Sequence, residues 1–284
     1  MEEERQEPVW PVLVTLAVAL TLMLVSGVVV GVGAMVLAVS RGEKPDVIAL
    51  LATPWVLVTM LALSQGIVLL SVRFLPVLFK DVGAQGWAHR VGWKPERFHL
   101  GRTGLAWVGT LGAGQVASYL LQGLHSRDDM LSRFASTSRD ADPVTFSAML
   151  LIGGLVAGFG EEFLFRGLAQ PRFISRIGVV RGIVLTAALF GAYHLDVRQG
   201  LAAMILGCWL GWFAWRDGSV VNVAFGHAFN NMTAFILSRI IGRPDDLDAS
   251  PWVAVSGLAL VTVCVLLTLR FVPRAPAEEV RSAP

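Results

Sequence analysis

Six polar residues in the second half of the chain are of types that can perform acid–base chemistry. They are Glu161, Glu162, Arg166, His194, His227 and Asn231, and each lies in or beside an apolar run. A charged residue in a membrane-spanning helix is disfavoured by roughly 2.5 to 3.5 kcal/mol, so ionisable residues kept there mark functional sites by default. The sequence therefore predicts one buried reaction centre that contains these six side chains.

The two neighbouring glutamates have different expected roles. Glu162 and Arg166 are four residues apart, so on a helix they share a face and can form an ion pair. Glu161 is rotated by about 100° from Glu162, which leaves its carboxylate available to hold a water molecule. In the alternative interpretation, both acids lie at the membrane interface and are simply solvated.

Each histidine has a partner at helical spacing. His194 follows Phe190 by four residues, and Asn231 follows His227 by four residues. His227 and Asn231 can therefore point two donors at one place. A single histidine on an apolar helix face is often only a core residue, but a second intramembrane histidine favours a shared chemical role.

A carboxylate, two imidazoles and an amide are sufficient to hydrolyse a peptide bond without a covalent intermediate. Burial raises the proton affinity of a glutamate toward the range that a general base needs. Histidine and asparagine can stabilise the oxyanion that forms when water attacks a carbonyl group.

The same residues allow metal chemistry. Glu161, His194 and His227 form a two-histidine, one-glutamate set of the kind that binds catalytic zinc. The His-Glu-x-x-His helix of common zinc proteases does not occur in the sequence. The residues alone leave the metal-free and the zinc mechanisms open.

The composition is that of a membrane protein. Apolar residues make up 55% of the 284 residues and charged residues 15%, against about 25% charged residues in an ordinary soluble domain. The mean hydropathy is +0.64. The net charge of +2 does not suggest nucleic acid as a partner, and two cysteines in apolar runs do not indicate a disulfide framework or a thiolate metal site.

The elements that must position the six residues are long helices. A helix needs about 20 residues to cross the hydrocarbon core, and stretches without Asp, Glu, Lys or Arg predict an all-α, polytopic membrane bundle of about eight transmembrane helices. The stretches are 9–40, 47–72, 103–126, 144–160, 182–195, 199–215, 219–238 and 252–269. The fourth and fifth are short, so we expect them to continue through Glu161 and Arg181.

Three sections are expected along this bundle. Residues 1–143 form N-terminal membrane helices with an interfacial segment at about 74–102, residues 144–241 form a catalytic helical core, and residues 242–284 form the last membrane helix and a tail. Most of the 23 Lys and Arg residues fall on one side of the eight spans. The positive-inside rule then places both termini and the interfacial segment in the cytoplasm, most simply at the plasma membrane.

One pair of small residues lies on the helix that leads to Glu161. Gly154 and Gly158 are four residues apart, and such pairs let two helix backbones approach closely. Close packing at this pair is expected to fix the position of the helix that carries the glutamates.

Three motifs together resemble a known family. They are Glu-Glu-x-x-x-Arg at 161–166, Phe-x-x-x-His at 190–194 and His-x-x-x-Asn at 227–231, in this order on successive predicted membrane helices. The set resembles the CAAX protease and bacteriocin-processing (CPBP, or Abi) intramembrane protease family, which includes the type II CAAX prenyl endopeptidase. The resemblance covers about residues 144–241, and no motif position is substituted.

The resemblance implies roles for the six residues. Glu161 with His194 would activate a water molecule, His227 and Asn231 would form the oxyanion site, and Glu162 with Arg166 would hold the arrangement. The family has been described as metalloproteases, but a metal-free glutamate mechanism also fits these residues, and we favour it. No cofactor is then required, and zinc on Glu161, His194 and His227 is the alternative.

The predicted function is that of an intramembrane endopeptidase acting on a membrane-associated or C-terminal, CAAX-like peptide. Its expected partners are a peptide or protein substrate and the lipid bilayer, and the sequence indicates no oligomeric state. The alternative is a non-catalytic immunity or scaffold protein that binds a peptide or partner in the same polar pocket. A transporter with a glutamate–histidine proton relay fits less well, because Arg166 and Asn231 would have no part in it.

Overall fold

The chain forms a bundle of helices. A computed structural model describes residues 8–44, 46, 50, 53–79, 86–126, 129–241 and 250–274, and no strand occurs within these ranges. The all-α class is therefore confirmed. The helices are α1 (Trp10–Ser40), α2 (Pro54–Leu78), α3 (Gly86–Arg90), α4 (Leu100–Leu120), α5 (Met130–Asp140), α6 (Pro143–Ile177), α7 (Val179–Ala192), α8 (Val197–Asp217), α9 (Val221–Ile241) and α10 (Pro251–Phe271).

Five of these helices are long and apolar enough to cross a membrane. They are α1, α2, α6, α8 and α10, and α7 is a shorter apolar helix. Helices α4 and α9 coincide with the two remaining predicted stretches. The prediction of an integral membrane protein is confirmed, whereas the number of eight spans remains a prediction.

Large apolar side chains cover the outside of the bundle. On α1, Val28, Val29 and Val36 are each more than three-fifths exposed. A continuous apolar surface of this kind is unfavourable in water, but it is the surface that a lipid-facing helix needs.

Glycines end two of the helices that flank the candidate residues. Gly178 separates α6 from α7 with φ +83°, and Gly218 separates α8 from α9 with φ +70°. Only glycine adopts these left-handed conformations without strain, so the chain can reverse direction at both places within a few residues.

Helix α6 is irregular on both sides of the glutamates. Residues Met149–Val156 and Phe163–Ala169 are π-helical, and the segment Ala157–Glu162 between them is α-helical. Extended π-helical stretches are rare and occur mostly at functional sites. They also change the direction of side chains relative to a regular helix, so the face of each residue in α6 is not fixed by its number alone.

Glycines bring α6 and α9 into close contact. A Cβ atom at Gly158 would lie 2.6 Å from the backbone nitrogen of Ala228, and one at Gly154 would lie 2.5 Å from Cγ of Met232. The predicted close packing at Gly154 and Gly158 is confirmed. It fixes the helix of Glu161 directly against the helix of His227.

The described part of the interfacial segment is attached to the turn between α8 and α9. The Arg97 guanidinium donates to the Asp217 carbonyl oxygen (2.9 Å), and Arg102 pairs with the buried Asp217 carboxylate (3.0 Å). The Asn222 side chain also donates to the Arg97 carbonyl oxygen and to Asp217.

Some predictions concern residues outside the described ranges. Residues 80–85 of the interfacial segment, and the predicted cytoplasmic ends at 1–7 and 275–284, lie outside the described residues. The limits of the three predicted sections remain predictions.

Candidate active site

The centre of the site is a buried ion pair on α6. Nη1 of Arg166 donates to Oε1 of Glu162 over 2.7 Å, and both side chains are fully buried. Nη2 of Arg166 donates to the Gly207 carbonyl oxygen of α8 (3.1 Å), and the guanidinium lies over the Phe190 ring of α7. The pair thus exists as its spacing predicts, and it connects three helices.

His227 extends this pair into a chain of polar contacts. Its Nδ1 is 2.8 Å from Oε1 of Glu162, and because a carboxylate oxygen accepts, Nδ1 carries the proton of this bond. Its Nε2 is then directed toward Oε2 of Glu161 at 3.8 Å. The polar chain is therefore Arg166, Glu162, His227 and Glu161, in that order.

Glu161 is the open end of the polar chain. Its side chain is 14% exposed, whereas that of Glu162 is fully buried. The other Glu161 oxygen, Oε1, accepts a hydrogen bond from Nε2 of Gln65 on α2 (3.3 Å). The carboxylate thus lies between an amide donor and an imidazole. It is the most exposed of the four side chains in the polar chain.

Gln65 is a site residue that the sequence reasoning missed. It is 6% exposed, and it lies in the first half of the chain, away from the three motifs. The available signal was an amide side chain within the apolar stretch 47–72, because a polar residue inside a membrane helix usually has a partner on another helix.

His194 lies just beyond the end of its helix. Helix α7 ends at Ala192, and His194 is in the turn that follows. The prediction that His194 lies within a membrane helix is therefore corrected. The turn toward α8 begins before the predicted end of the span. Nδ1 of His194 is 2.8 Å from the Phe190 carbonyl oxygen, which can only accept, so Nδ1 carries a proton, and in the neutral imidazole Nε2 has a free lone pair.

Phe190 connects His194 with the rest of the site. Its ring contacts the His194 imidazole (centroids 4.9 Å apart) and the His227 imidazole (5.8 Å), both edge to face. Among the described residues, His194 makes no hydrogen bond with Glu161. His194 and His227 therefore contact the same aromatic ring, whereas His194 and Glu161, the pair expected to activate water, are not hydrogen-bonded to each other.

Asn231 lies one turn beyond His227 on α9. Its Nδ2 donates to the Gly153 carbonyl oxygen in the first π-helical stretch over 3.4 Å, which is a long and weak hydrogen bond. Its amide is half-buried and, within the described part of the chain, is not bonded to Glu161 or His194. The four-residue spacing thus places Asn231 on the His227 side of α9 without a direct contact to the glutamates.

The alternative zinc ligands do not form a cluster. Glu161 and His227 approach each other, but no group of three or more His, Cys, Asp or Glu side chains in the described ranges is arranged to hold a metal ion. Residues Glu161, His194 and His227 as arranged here therefore do not fit a tetrahedral zinc site, and no reaction step is derived through a metal.

Aromatic rings line α6 beside the glutamates. Phe159 and Phe163 are in contact with Trp93 of the interfacial segment (5.9 and 5.6 Å between centroids), and Phe159 is in contact with Phe225 of α9 (4.9 Å). These four rings form an aromatic cluster between the interfacial segment and the polar chain.

One comparison with known protein families matches the part of the chain that contains the three motifs. The family model described as type II CAAX prenyl endopeptidase Rce1-like matches residues 143–233, which include all six candidate residues. No curated protein and no solved structure matched the chain. The match to this family model confirms that the chain resembles the CPBP intramembrane proteases, to which the type II CAAX prenyl endopeptidases belong.

Proposed function

We propose that the protein is an intramembrane endopeptidase that hydrolyses a peptide bond with water activated by Glu161. The observation that carries the proposal is the polar chain from Arg166 through Glu162 and His227 to the partly exposed carboxylate of Glu161. It is enclosed by apolar helices, where unpaired charges are strongly disfavoured, and it lies in the segment that matches the CAAX endopeptidase family.

Glu161 is the general base of this mechanism. Its carboxylate is the one member of the polar chain with access to a substrate or a water molecule. A base must lie within hydrogen-bond reach of the water that it deprotonates, and a partly exposed oxygen meets this requirement better than the buried Glu162. Glu161 takes one proton from the water as its oxygen adds to the peptide carbonyl carbon. The tetrahedral intermediate then collapses with cleavage of the C–N bond, and the protonated Glu161 returns that proton to the leaving amine.

His194 assists by holding the same water molecule. With its Nδ1 proton bound to the Phe190 carbonyl oxygen, the Nε2 lone pair can accept a hydrogen bond from water. His194 follows a helix end and is half-buried, so its turn can move, and this movement would bring Nε2 to the water molecule that Glu161 holds.

His227 and Asn231 form the oxyanion site. Nδ1 of His227 is committed to Glu162, so Nε2 must carry a second proton in order to donate to the developing oxyanion. The carboxylates of Glu162 and Glu161 face the two nitrogens of the ring. The Asn231 amide donates one long hydrogen bond to Gly153 and accepts another from Asn230, both at 3.4 Å, so little is lost when its NH₂ group turns toward the same oxygen atom.

Glu162 and Arg166 orient His227. Arg166 fixes Glu162 through one guanidinium nitrogen and α8 through the other, and Glu162 in turn fixes the imidazole. Preorganised donors of this kind need no rearrangement at the moment of reaction, which is the main source of electrostatic catalysis.

The substrate is a membrane-associated or C-terminal, CAAX-like peptide. The description of the matched family supports this class. Phe159 and Phe163 of the aromatic cluster flank Glu161 in the sequence of α6, which supports an apolar environment for a lipid-modified or strongly apolar residue beside the scissile bond.

The protein lies in the plasma membrane, and both of its termini face the cytoplasm. Basic residues from three regions meet at one end of the bundle: Arg216 donates to the Val272 carbonyl oxygen, Arg274 lies over Trp215, and Arg97 reaches Asp217. Such a basic end is typical of the cytoplasmic side. Tags or cysteine probes at the two termini, tested for accessibility from outside intact cells, check this orientation.

Cleavage of a fluorogenic peptide panel by the purified protein tests the proposed function. The panel contains CAAX-like C-terminal peptides with and without a prenyl group, each with and without a chelator. We expect cleavage that is insensitive to the chelator and absent in Glu161→Gln. Chelator-sensitive cleavage restored by zinc would establish the metal mechanism instead. If the Glu161→Gln and His194→Ala variants retain full biological activity, the alternative of a non-catalytic binding protein is favoured.

A further inference from the structure

Gln65 lies outside the matched segment and makes direct contact with the proposed base. Its Nε2 lies 3.3 Å from Oε1 of Glu161, and it comes from α2, which lies outside residues 143–233. Other polar side chains of α2 bond within their own helix: Thr59 donates to the Trp55 carbonyl oxygen, and Ser64 donates to that of Leu61. Gln65 instead reaches across to α6.

The contact has a defined polarity. An ionised carboxylate only accepts hydrogen bonds, so the NH₂ group of the amide must face Glu161. The amide oxygen of Gln65 is buried and, within the described part of the chain, has no hydrogen-bond partner. Turning the amide over would place this oxygen against the carboxylate, which is repulsive, so the donating orientation is the favourable one.

Helix α2 lies beside the backbone that precedes Glu161. A Cβ atom built at Gly160 would make ordinary van der Waals contacts with Oε1 of Gln65 (3.5 Å) and Cγ1 of Val68 (3.4 Å), so the Gln65 amide lies within one methyl group of α6. With Gln65 on Oε1 and His227 facing Oε2, the plane of the Glu161 carboxylate is fixed from both sides.

We infer that Gln65 is a positioning residue that orients the Glu161 carboxylate, so that the N-terminal helices supply part of the reaction centre. The inference rests on the proposed function of Glu161 as general base. A buried amide whose oxygen has no hydrogen-bond partner is unfavourable for the stability of a membrane helix. Such a cost is expected for a residue that serves activity rather than stability.

The test compares isosteric variants of the full-length protein. Gln65→Leu and Gln65→Met remove the donor at similar volume, and Ser64→Ala is the matched control because its hydroxyl bonds only within α2. We expect kcat/KM to fall about 10- to 100-fold in both Gln65 variants, which is the effect of losing a hydrogen bond to a charged group. The thermal unfolding temperature should stay close to that of Ser64→Ala.

The division of the loss between kcat and KM separates positioning from a structural role. Because Gln65 contacts the proposed base, the loss in the Gln65 variants should fall on kcat, with little change in KM. Loss of activity that follows loss of folded protein, with an unchanged kcat per folded molecule, would overturn the inference.

An infrared measurement makes the inference independent of cleavage. The carboxylate band of Glu161 is assigned by its disappearance in Glu161→Gln, and it should shift in Gln65→Leu but not in Ser64→Ala. An unchanged band overturns the role of Gln65, whether or not the enzyme cleaves any peptide. A shifted band in a protein that cleaves none of the panel supports the contact while the proposed function fails.

Discussion

The His227 imidazole is bound by the fully buried carboxylate of Glu162, with 2.8 Å between Nδ1 and Oε1. The same oxygen receives the Arg166 guanidinium over 2.7 Å. One carboxylate atom thus holds both a cation and the ring that faces Glu161, so changes to Glu162 or Arg166 should affect activity through His227 as well as through folding.

Breaking the buried pair should be strongly destabilising. In Arg166→Leu, Glu162 would remain buried without its cation, and removing one member of a buried pair typically costs about 3–5 kcal/mol. We expect a large fall in thermal stability in detergent and no cleavage. The control is Arg139→Ala, whose pair with Asp140 is exposed and should be worth about 0–1 kcal/mol. Equal stability of the two variants would contradict the role of the pair.

Removing the His194 imidazole should lower activity without lowering stability. His194 is half-buried in a turn and has one hydrogen bond, to the Phe190 carbonyl oxygen. In His194→Ala we expect kcat/KM to fall by about 10²–10⁴, the usual contribution of a positioned acid–base group. His89→Ala, in the interfacial helix α3, should behave as the unmodified protein. Cleavage at the normal rate in His194→Ala would remove this residue from the mechanism.

Asn231 and Asn230 form a matched pair of adjacent amides on α9. If Asn231 donates to the oxyanion, Asn231→Ala should reduce kcat by about 10²–10³ with little change in KM, because an oxyanion donor acts mainly in the transition state. Asn230→Ala should retain most of the activity. Steady-state kinetics on the same peptide decides between them, and equal losses in both variants would argue against a specific donor role for Asn231.

Close contact between α6 and α9 predicts that Gly158 cannot be enlarged. A Cβ atom there would lie 2.6 Å from the Ala228 backbone nitrogen, so Gly158→Ala must separate the helices of Glu161 and His227. We expect destabilisation of about 1–3 kcal/mol and a marked loss of activity. At Gly114, where nothing lies within 4 Å of such an atom, the same substitution should not destabilise the protein and should stabilise the helix by about 0.5–1 kcal/mol. Thermal unfolding and cleavage assays on the two variants test this difference.

A pH-dependent contribution to stability is expected from Asp129, outside the membrane-spanning helices. Burial opposes its ionisation, but hydrogen bonds from Ser126, Ser132 and Arg198 outweigh burial and hold the pKa of its carboxyl below the usual 3.8. Because the pKa is lowered on folding, the stabilisation is complete above pH 3.8 and is lost as the pH falls through the lower, folded-state value.

The measurement compares Asp129→Asn with the unmodified protein. Asp129→Asn should be less stable at neutral pH, and the difference in unfolding temperature should shrink as the pH is lowered below about 4. Since other carboxylates are the same in both proteins, the difference isolates this group. A difference that is constant with pH would contradict the prediction.

Much of the site was accessible from sequence, but its contacts were not. The spacing of Glu162 and Arg166 predicted their ion pair, because residues four apart on a helix are neighbours whatever surrounds them. By contrast, Glu161 was expected to work with His194, and the structure places it next to His227 instead. Residues on different helices come together according to how the helices pack, and the π-helical stretches of α6 alter side-chain directions that residue numbers would otherwise indicate.

The sequence by itself determined that the chain is a bundle of membrane helices. It also determined which six polar residues lie in or beside the apolar runs, because hydropathy and helical spacing are local properties. The family match at residues 143–233 agrees with the three motifs. Only the tertiary structure decided that His227 links the two glutamates, that His194 follows a helix end, and that Gln65 reaches the proposed base from α2. These relations depend on close approaches between helices that are far apart in the chain. The free energy of such packing depends on both helices and cannot be deduced from one segment alone.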